Sequence, residues 1–436
     1  MTNPSATSSF SQRRTRLQAL LGDGVAIIPT APEVIRNRDA HYPYRPDSYF
    51  WYLSGFSEPE AVLVLVGGAE PKSILFCRTK DVEREVWDGF RYGPEAAASQ
   101  FGVDEAFPIS ELDKKLPELI ADRESLWHTM GVDRAWDRRI GEALETVRQQ
   151  SRSGKRAPAH IRDLRATLDT MRLIKDTAEI GLMKHAAQIT SDAHRRAMQF
   201  CRPGMMEYAL EAEISHEFRH RGSESHAYTP IVAGGKNTCT LHYVGNNQAL
   251  QEGELVLIDA GCEWQNYAAD ITRTFPVNGR FTAAQKDCYE IVLASQYAAC
   301  QEVKPGNHFM QPHEAALRVL TQGMVDLGLL SGAVDGLIES GAYKPFYMHR
   351  TSHWLGLDVH DAGDYKQGKE DWTTLAPGMV LTIEPGLYIR PGEGVPTHLA
   401  NIGIRIEDDA LVTETGVDIY TTAPKTVADI EASCLA

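Results

Sequence analysis

The sequence predicts an α+β chain of two domains: a smaller α/β domain over residues 1–170, then a larger one over 171–436 made of two related halves. Three observations carry this. At 436 residues the chain has room for two to three domains of about 150 residues each. Its first third alternates short apolar runs with helical spacing. Beyond a basic, breaker-rich stretch, matched segments recur in the same order.

Taken in order, the run 25–28 is apolar and stopped by Pro29, as a short strand would be. The aromatic cluster 42–52 reads as core and turn packing. Runs 61–66 and 73–77, separated by Gly67, Gly68 and Pro71, read as adjacent strands. Leu112, Leu116, Leu119 and Ile120 recur at helical spacing after Ser110 and Asp113, although Pro117 weakens that helix. The stretch 152–165, with Gly154, Lys155, Arg156 and Pro158, reads as a linker, which puts the domain boundary near 165–175.

Asp176 and Glu179 then form a helix start signal ahead of Ile180, Met183 and Ala187. A second helix, carrying Leu210, Ile214 and Phe218, follows Pro203 and Gly204. Both features have echoes. CRPG at 201–204 is answered by VKPG at 303–306, each before a new helix. GELVLID at 253–259 is answered by GMVLTIE at 378–384, each an apolar strand ending in an acid. A pseudo-twofold relating the halves would bring both acids to one central site.

Composition narrows the class. Hydrophobic residues are 43% and charged residues 24%, enough for a large core. The 44 Lys and Arg stand against 59 Asp and Glu, a formal charge of −15. That balance speaks against nucleic acid or an anionic membrane as partner. The longest apolar run, 61–66, falls far short of a membrane span. Seven cysteines without a C-x-x-C pair argue against a disulfide framework or zinc–thiolate site and for a reducing, cytoplasmic setting. The Ser/Thr-rich start, with Arg13, Arg14 and Arg16, reads as a polar, fraying terminus with a faint likeness to a transit peptide.

The chemistry begins at Asp259. A lone carboxylate at the end of a buried strand needs a cation or a shifted pKa. A turn at 264–266 would set Asp270 opposite Asp259 in a hairpin, about 5 Å away, where the two repel unless something positive lies between. Glu384 and Glu407 add two acids, and Arg405 shares a strand face with Glu407 by period two. In HRTSHWLGLDVHD at 349–361, three histidines fall within twelve residues. The H-x-x-x-H pair His349/His353 is not a zincin helix, because Arg350 stands where the Glu would be. His242 taken alone reads as a structural histidine. One imidazole with four carboxylates suits manganese, cobalt, iron or zinc rather than copper.

These residues resemble the pita-bread metallopeptidases, and within them the aminopeptidase P family of Xaa-Pro aminopeptidases. Asp259, Asp270, His353, Glu384 and Glu407 match all five metal-ligand positions. The stretch 349–361 is similar to the proline-peptidase signature. AGGKN at 233–237 with LHY at 241–243, and the run from RNRD at 36–39 to YFWYLSGF at 49–56, resemble the same family. The likeness covers nearly the whole chain.

The resemblance implies a C-terminal pita-bread domain with an internal pseudo-twofold, and two divalent ions, manganese first with cobalt or zinc as alternatives. Asp270 and Glu407 would bridge the ions, His353 and Glu384 complete one, and Asp259 the other. Glu384 would also relay protons. His242 and His360 would stabilise the developing oxyanion. His349, Tyr388 and Arg405 would shape the proline pocket, with Tyr228 behind the ligands. Trp87, in REVW at 84–87, would border the site of a neighbouring subunit in a homodimer or homotetramer. The expected substrates are peptides with proline in second position. A dipeptide-only prolidase would share every ligand, and a metal-free or non-catalytic relative of the same fold is a third reading.

Overall fold

The computed structural model describes residues 4–436. It divides into two compact units, Met1–Asp169 and Thr170–Ala436. The first three residues of the Ser/Thr-rich start lie outside the described residues. The rest of that start does not fray; it forms the helix Pro4–Leu21. Arg13 and Arg14 are buried there and donate to the carbonyls of Tyr52 and Leu53. They thereby satisfy carbonyls in the last turn of the helix Ser48–Ser54, which have no partner within their own helix. The local arginine count does not reveal that role.

The first unit is built on a six-stranded mixed sheet. Its spatial order is Glu105–Pro108, Lys72–Cys77, Val62–Val66, Gly24–Pro29, Ser125–His128, His160–Asp163. The runs 61–66 and 73–77 are neighbours as expected, antiparallel, with Val62 opposite Phe76. The helix Leu112–Ile120 keeps Pro117 in its interior and still buries Leu112, Leu116 and Ile120. The expected linker is not one. His160–Asp163 pairs in parallel with Ser125–His128 as the sheet's edge strand. All four of its residues are exposed, so no alternation of polar and apolar residues marks it in the sequence.

The second unit repeats one plan. The helices Thr177–Phe200 and Glu207–His220 precede the antiparallel strands Ile231–Gly234, Leu255–Asp259 and Thr272–Pro276. The helices Ala283–Glu302 and Gln311–Asp326 precede Val380–Ile383, Gly386–Ile389, Ile402–Arg405 and Asp408–Val412. Asp176 caps the first helix in a full capping box with Glu179. The sequence echoes are structural ones: Gly204 and Gly306 adopt φ of 86° and 89°, and Gly253 and Gly378 adopt 83° and 89°. These are left-handed conformations that a side chain disfavours, so the same turn is required twice.

The hairpin register differs from expectation. Gln265 and Asn266 take positive φ and form the turn, with Trp264 opposite Tyr267. Asp259 therefore faces Thr272, and Asp270 lies two residues earlier, just ahead of the partner strand. Because side chains alternate with period two, a slip of two residues keeps both acids on the same face. Gly261 sits where the strands close in; a Cβ there would lie 1.7 Å from the Ala269 carbonyl oxygen. Every cysteine is free and buried. No helix among the described residues is long and apolar enough to cross a membrane.

Candidate metal centre

Each acid sits where a strand of the second unit begins or ends. Asp259 closes Leu255–Asp259, Asp270 precedes Thr272–Pro276, Glu384 follows Val380–Ile383, and Glu407 links Ile402–Arg405 to Asp408–Val412. His353 arrives from the 349–361 loop, which is stitched to the second half by a bridge between Trp354 and Leu381. All five line one cavity of about 420 Å³, together with Tyr228, His242, His349, His360 and Arg405. Donor atoms of Asp270, His353 and Glu407 lie within 4.8 Å of one another. His353 Nε2 is 3.4 Å from Asp270 Oδ2 and 3.8 Å from Glu384 Oε1.

The polar surroundings orient these groups. His353 Nδ1 lies 2.9 Å from the Trp354 carbonyl, which accepts its N–H and turns Nε2 toward the acids. The Tyr228 hydroxyl reaches Asp259 Oδ1 at 2.5 Å and also Asp270 Oδ1, although its single proton can serve only one of them. Thr272 donates to Glu407 Oε2 at 2.6 Å. Arg405, expected at the substrate pocket, also lines the cavity but spends its donors on the frame: Nη2 on Asp259 Oδ2 at 2.5 Å, Nε on Thr272, Nη1 on the Tyr388 hydroxyl. Tyr388 is fully buried and does not line the cavity; it reaches the site through His349 Nε2 at 2.8 Å. The His360 ring packs edge-on to His353, centroids 4.3 Å apart. Trp87 belongs to the first unit, on the helix Val82–Asp88, and is 84% exposed.

Two contributors escaped the sequence reading. One is Thr272. The other is Arg273, fully buried, which donates to the Glu407 carbonyl at 2.6 Å and to Asp408 Oδ1 at 2.6 Å. It ties the strand that follows Asp270 to the one that follows Glu407. An arginine inside the otherwise uncharged strand Thr272–Pro276 was the available signal.

The electrostatics test whether cations fit. Burial, then the neighbouring acids, drive the Glu407 carboxyl well above its ordinary range. Burial also raises Asp270, against the pull of His353. Glu384 is pushed up to about 7, by burial first, with Asp270 and Asp259 adding to it against His353 and Arg405. His353 is raised to about 9: burial opposes its charge, but Asp270 and Glu384 overcome that. Four acids and an imidazole confined this closely either hold protons or need positive charge between them. Hard oxygen donors with one nitrogen fit divalent ions of the manganese-to-zinc group.

Comparison with known proteins agrees with this geometry. Residues 181–414 match the model of metallopeptidase family M24, and residues 10–127 that of the aminopeptidase P N-terminal domain. The Xaa-Pro aminopeptidase of Escherichia coli (strain K12) is 46% identical over 98% of this chain and 97% of its own. That of Haemophilus influenzae is 46% identical over 97% and 96%. Among solved structures, the aminopeptidase PepP of Pseudomonas aeruginosa superposes with a TM-score of 0.97 at 48% identity, covering 98% of both chains. A zinc-substituted Escherichia coli aminopeptidase P in complex with product gives 0.96 at 46% identity, again over 98% of both. The chain belongs to metallopeptidase family M24, in its pita-bread aminopeptidase P branch, and is a metallo-aminopeptidase.

Proposed function

We propose that this chain releases the N-terminal residue from peptides with proline in second position. The observation that carries this reading is the convergence of Asp259, Asp270, His353, Glu384 and Glu407 on one cavity that also presents His242, His349 and His360. Asp259, Asp270, His353, Glu384 and Glu407 would hold two divalent ions, manganese by preference over cobalt or zinc. Divalent ions held there would supply Lewis acidity and would lower the pKa of a water toward neutrality.

The chain's own residues do the rest. Asp259 faces the substrate's free amine. Glu384, on the cavity wall 3.8 Å from His353 Nε2, carries the proton toward the departing proline nitrogen. His242 and His360 stand at the oxyanion, where placed donors are worth most. His349 borders the proline ring, held by Tyr388, which Arg405 holds in turn. An Xaa-Pro bond offers no N–H, so a site that takes it must bind the ring and make no demand on that donor.

The first unit serves assembly and access. Val82, Val86, Trp87 and Phe90 are exposed together around one short helix, a surface suited to cover by a neighbouring subunit in a cytoplasmic homodimer or homotetramer. Full-length kinship with Xaa-Pro aminopeptidases favours this reading over a prolidase. The test is hydrolysis of Ala-Pro-Ala against Ala-Ala-Ala and Ala-Pro, with and without chelator. Chelator-sensitive cleavage of Ala-Pro-Ala, lost in soluble Asp270→Ala, is expected. Cleavage of Ala-Pro alone would favour the prolidase.

A further inference from the structure

The cavity that gathers the acids also presents a positive charge that the reaction above does not use. Arg350 lines it beside His349 and is exposed, whereas Asp270 and Glu407 are buried. The acids thus form the floor, and Arg350 stands at the rim. Its guanidinium lies 5.3 Å over the ring of Trp372. Lys366 pairs with Trp372 across the hairpin formed by Lys366–Gln367 and Asp371–Trp372, and its Nζ lies 4.6 Å from the same ring centroid. Lys366 Nζ reaches the Lys369 carbonyl. Among the described residues, neither cation has a carboxylate within ion-pair distance, in a chain where acids outnumber bases 59 to 44.

A cation–π contact with an indole holds a guanidinium through its charge and leaves N–H edges available to another partner. Those edges match a carboxylate in bidentate fashion. A short peptide is itself polar along its length, with an ammonium at the end to be removed and a carboxylate at the other. The cavity has the complementary polarity, acids below and an unpaired guanidinium above. We propose that Arg350, seated on Trp372, binds the free C-terminal carboxylate of short peptide substrates and sets a preference for them over amidated ones. This rests on the aminopeptidase reading, which places the substrate's amine at the acids.

The experiment compares Ala-Pro-Ala with its C-terminal amide, and Ala-Ala-Ala with its amide, on metal-loaded wild type, R350A, R350K and R350E. The wild type should favour the free acid by about tenfold or more in kcat/KM, expressed mainly in KM, as a charge-assisted hydrogen bond predicts. R350A should erase the ratio, R350K keep part of it, and R350E invert it. A ratio that survives in R350A overturns the proposal. Equal cleavage of Ala-Pro-Ala and its amide by the wild type also overturns it and leaves the proline reading intact. An Arg350-dependent acid preference seen on Ala-Ala-Ala, with no turnover of Ala-Pro-Ala, supports the role of Arg350 and sinks the proline reading instead.

Discussion

In the cation-free site His353, raised to about 9, holds its proton at neutral pH, and Glu384, raised to about 7, holds one in about half of the molecules. Metal ligation requires the neutral imidazole and the carboxylate. Loading the apoprotein with manganese at pH 7 should therefore release protons, on the order of one or more per chain, and the number should fall as pH rises, first through about 7 as Glu384 ionises and then through about 9 as His353 does. Calorimetric titration in two buffers of different ionisation enthalpy measures it; a buffer-independent heat would contradict the charge states assigned to the site. At this scale much was legible. An acid ending an apolar strand is anomalous, and the anomaly occurs at Asp259 and again at Glu384. The register error between Asp259 and Asp270 was harmless because it preserved the face. Thr272 could not be read, since a threonine in a strand is ordinary until its hydroxyl meets Glu407. The partner of Arg405, Asp259, lies 146 positions away and is set by the packing of the two halves.

At the scale of elements, the loop carrying His353 and His360 is anchored by Asp361. That carboxylate accepts from Arg172 at 2.5 Å and from Lys175 at 2.9 Å, with all three side chains nearly fully buried. Burial alone would raise its pKa; Lys175 and then Arg172 overcome that and hold it below the ordinary 3.8. A depressed folded-state pKa contributes stability above the unfolded value, and that contribution is lost as pH falls through the folded one. Asp361→Asn takes the shared charge away from two buried cations, leaving Arg172 to its ion pair with Asp358 and Lys175 without that carboxylate, and should cost about 3–5 kcal/mol at pH 7. The gap to wild type should narrow once pH drops below 3.8. Urea unfolding across that range checks both, and a constant gap would assign the loss to packing instead. Elements with local chemistry were readable from sequence, as at the capping box of Asp176 and Glu179 and the turn glycines. The edge strand His160–Asp163 was not, because its only specification is the neighbour it pairs with.

For the whole molecule, the consequence of the site is unequal stability in the two units. Each has its own core. One centres on Val25, Val64, Phe76 and Leu144, the other on Leu210, Phe275, Val292 and Ile404. The acids all belong to the second unit, so a cation bound there stabilises that unit by mass action and by relieving repulsion among buried carboxylates. At a hundred to a thousand times Kd the gain is about 3–4 kcal/mol, or roughly 5–15 °C in Tm for a unit of this size. Differential scanning calorimetry of the full chain with and without chelator should move the transition of residues 170–436 by that amount. The transition of the first unit, which contributes no donor, should stay in place. Each transition can be assigned by limited proteolysis at intermediate temperature, which should spare the first unit when the second has been emptied of metal. Equal shifts in both transitions would show that the units unfold as one, and that the cations support the fold well beyond the strands that carry their ligands.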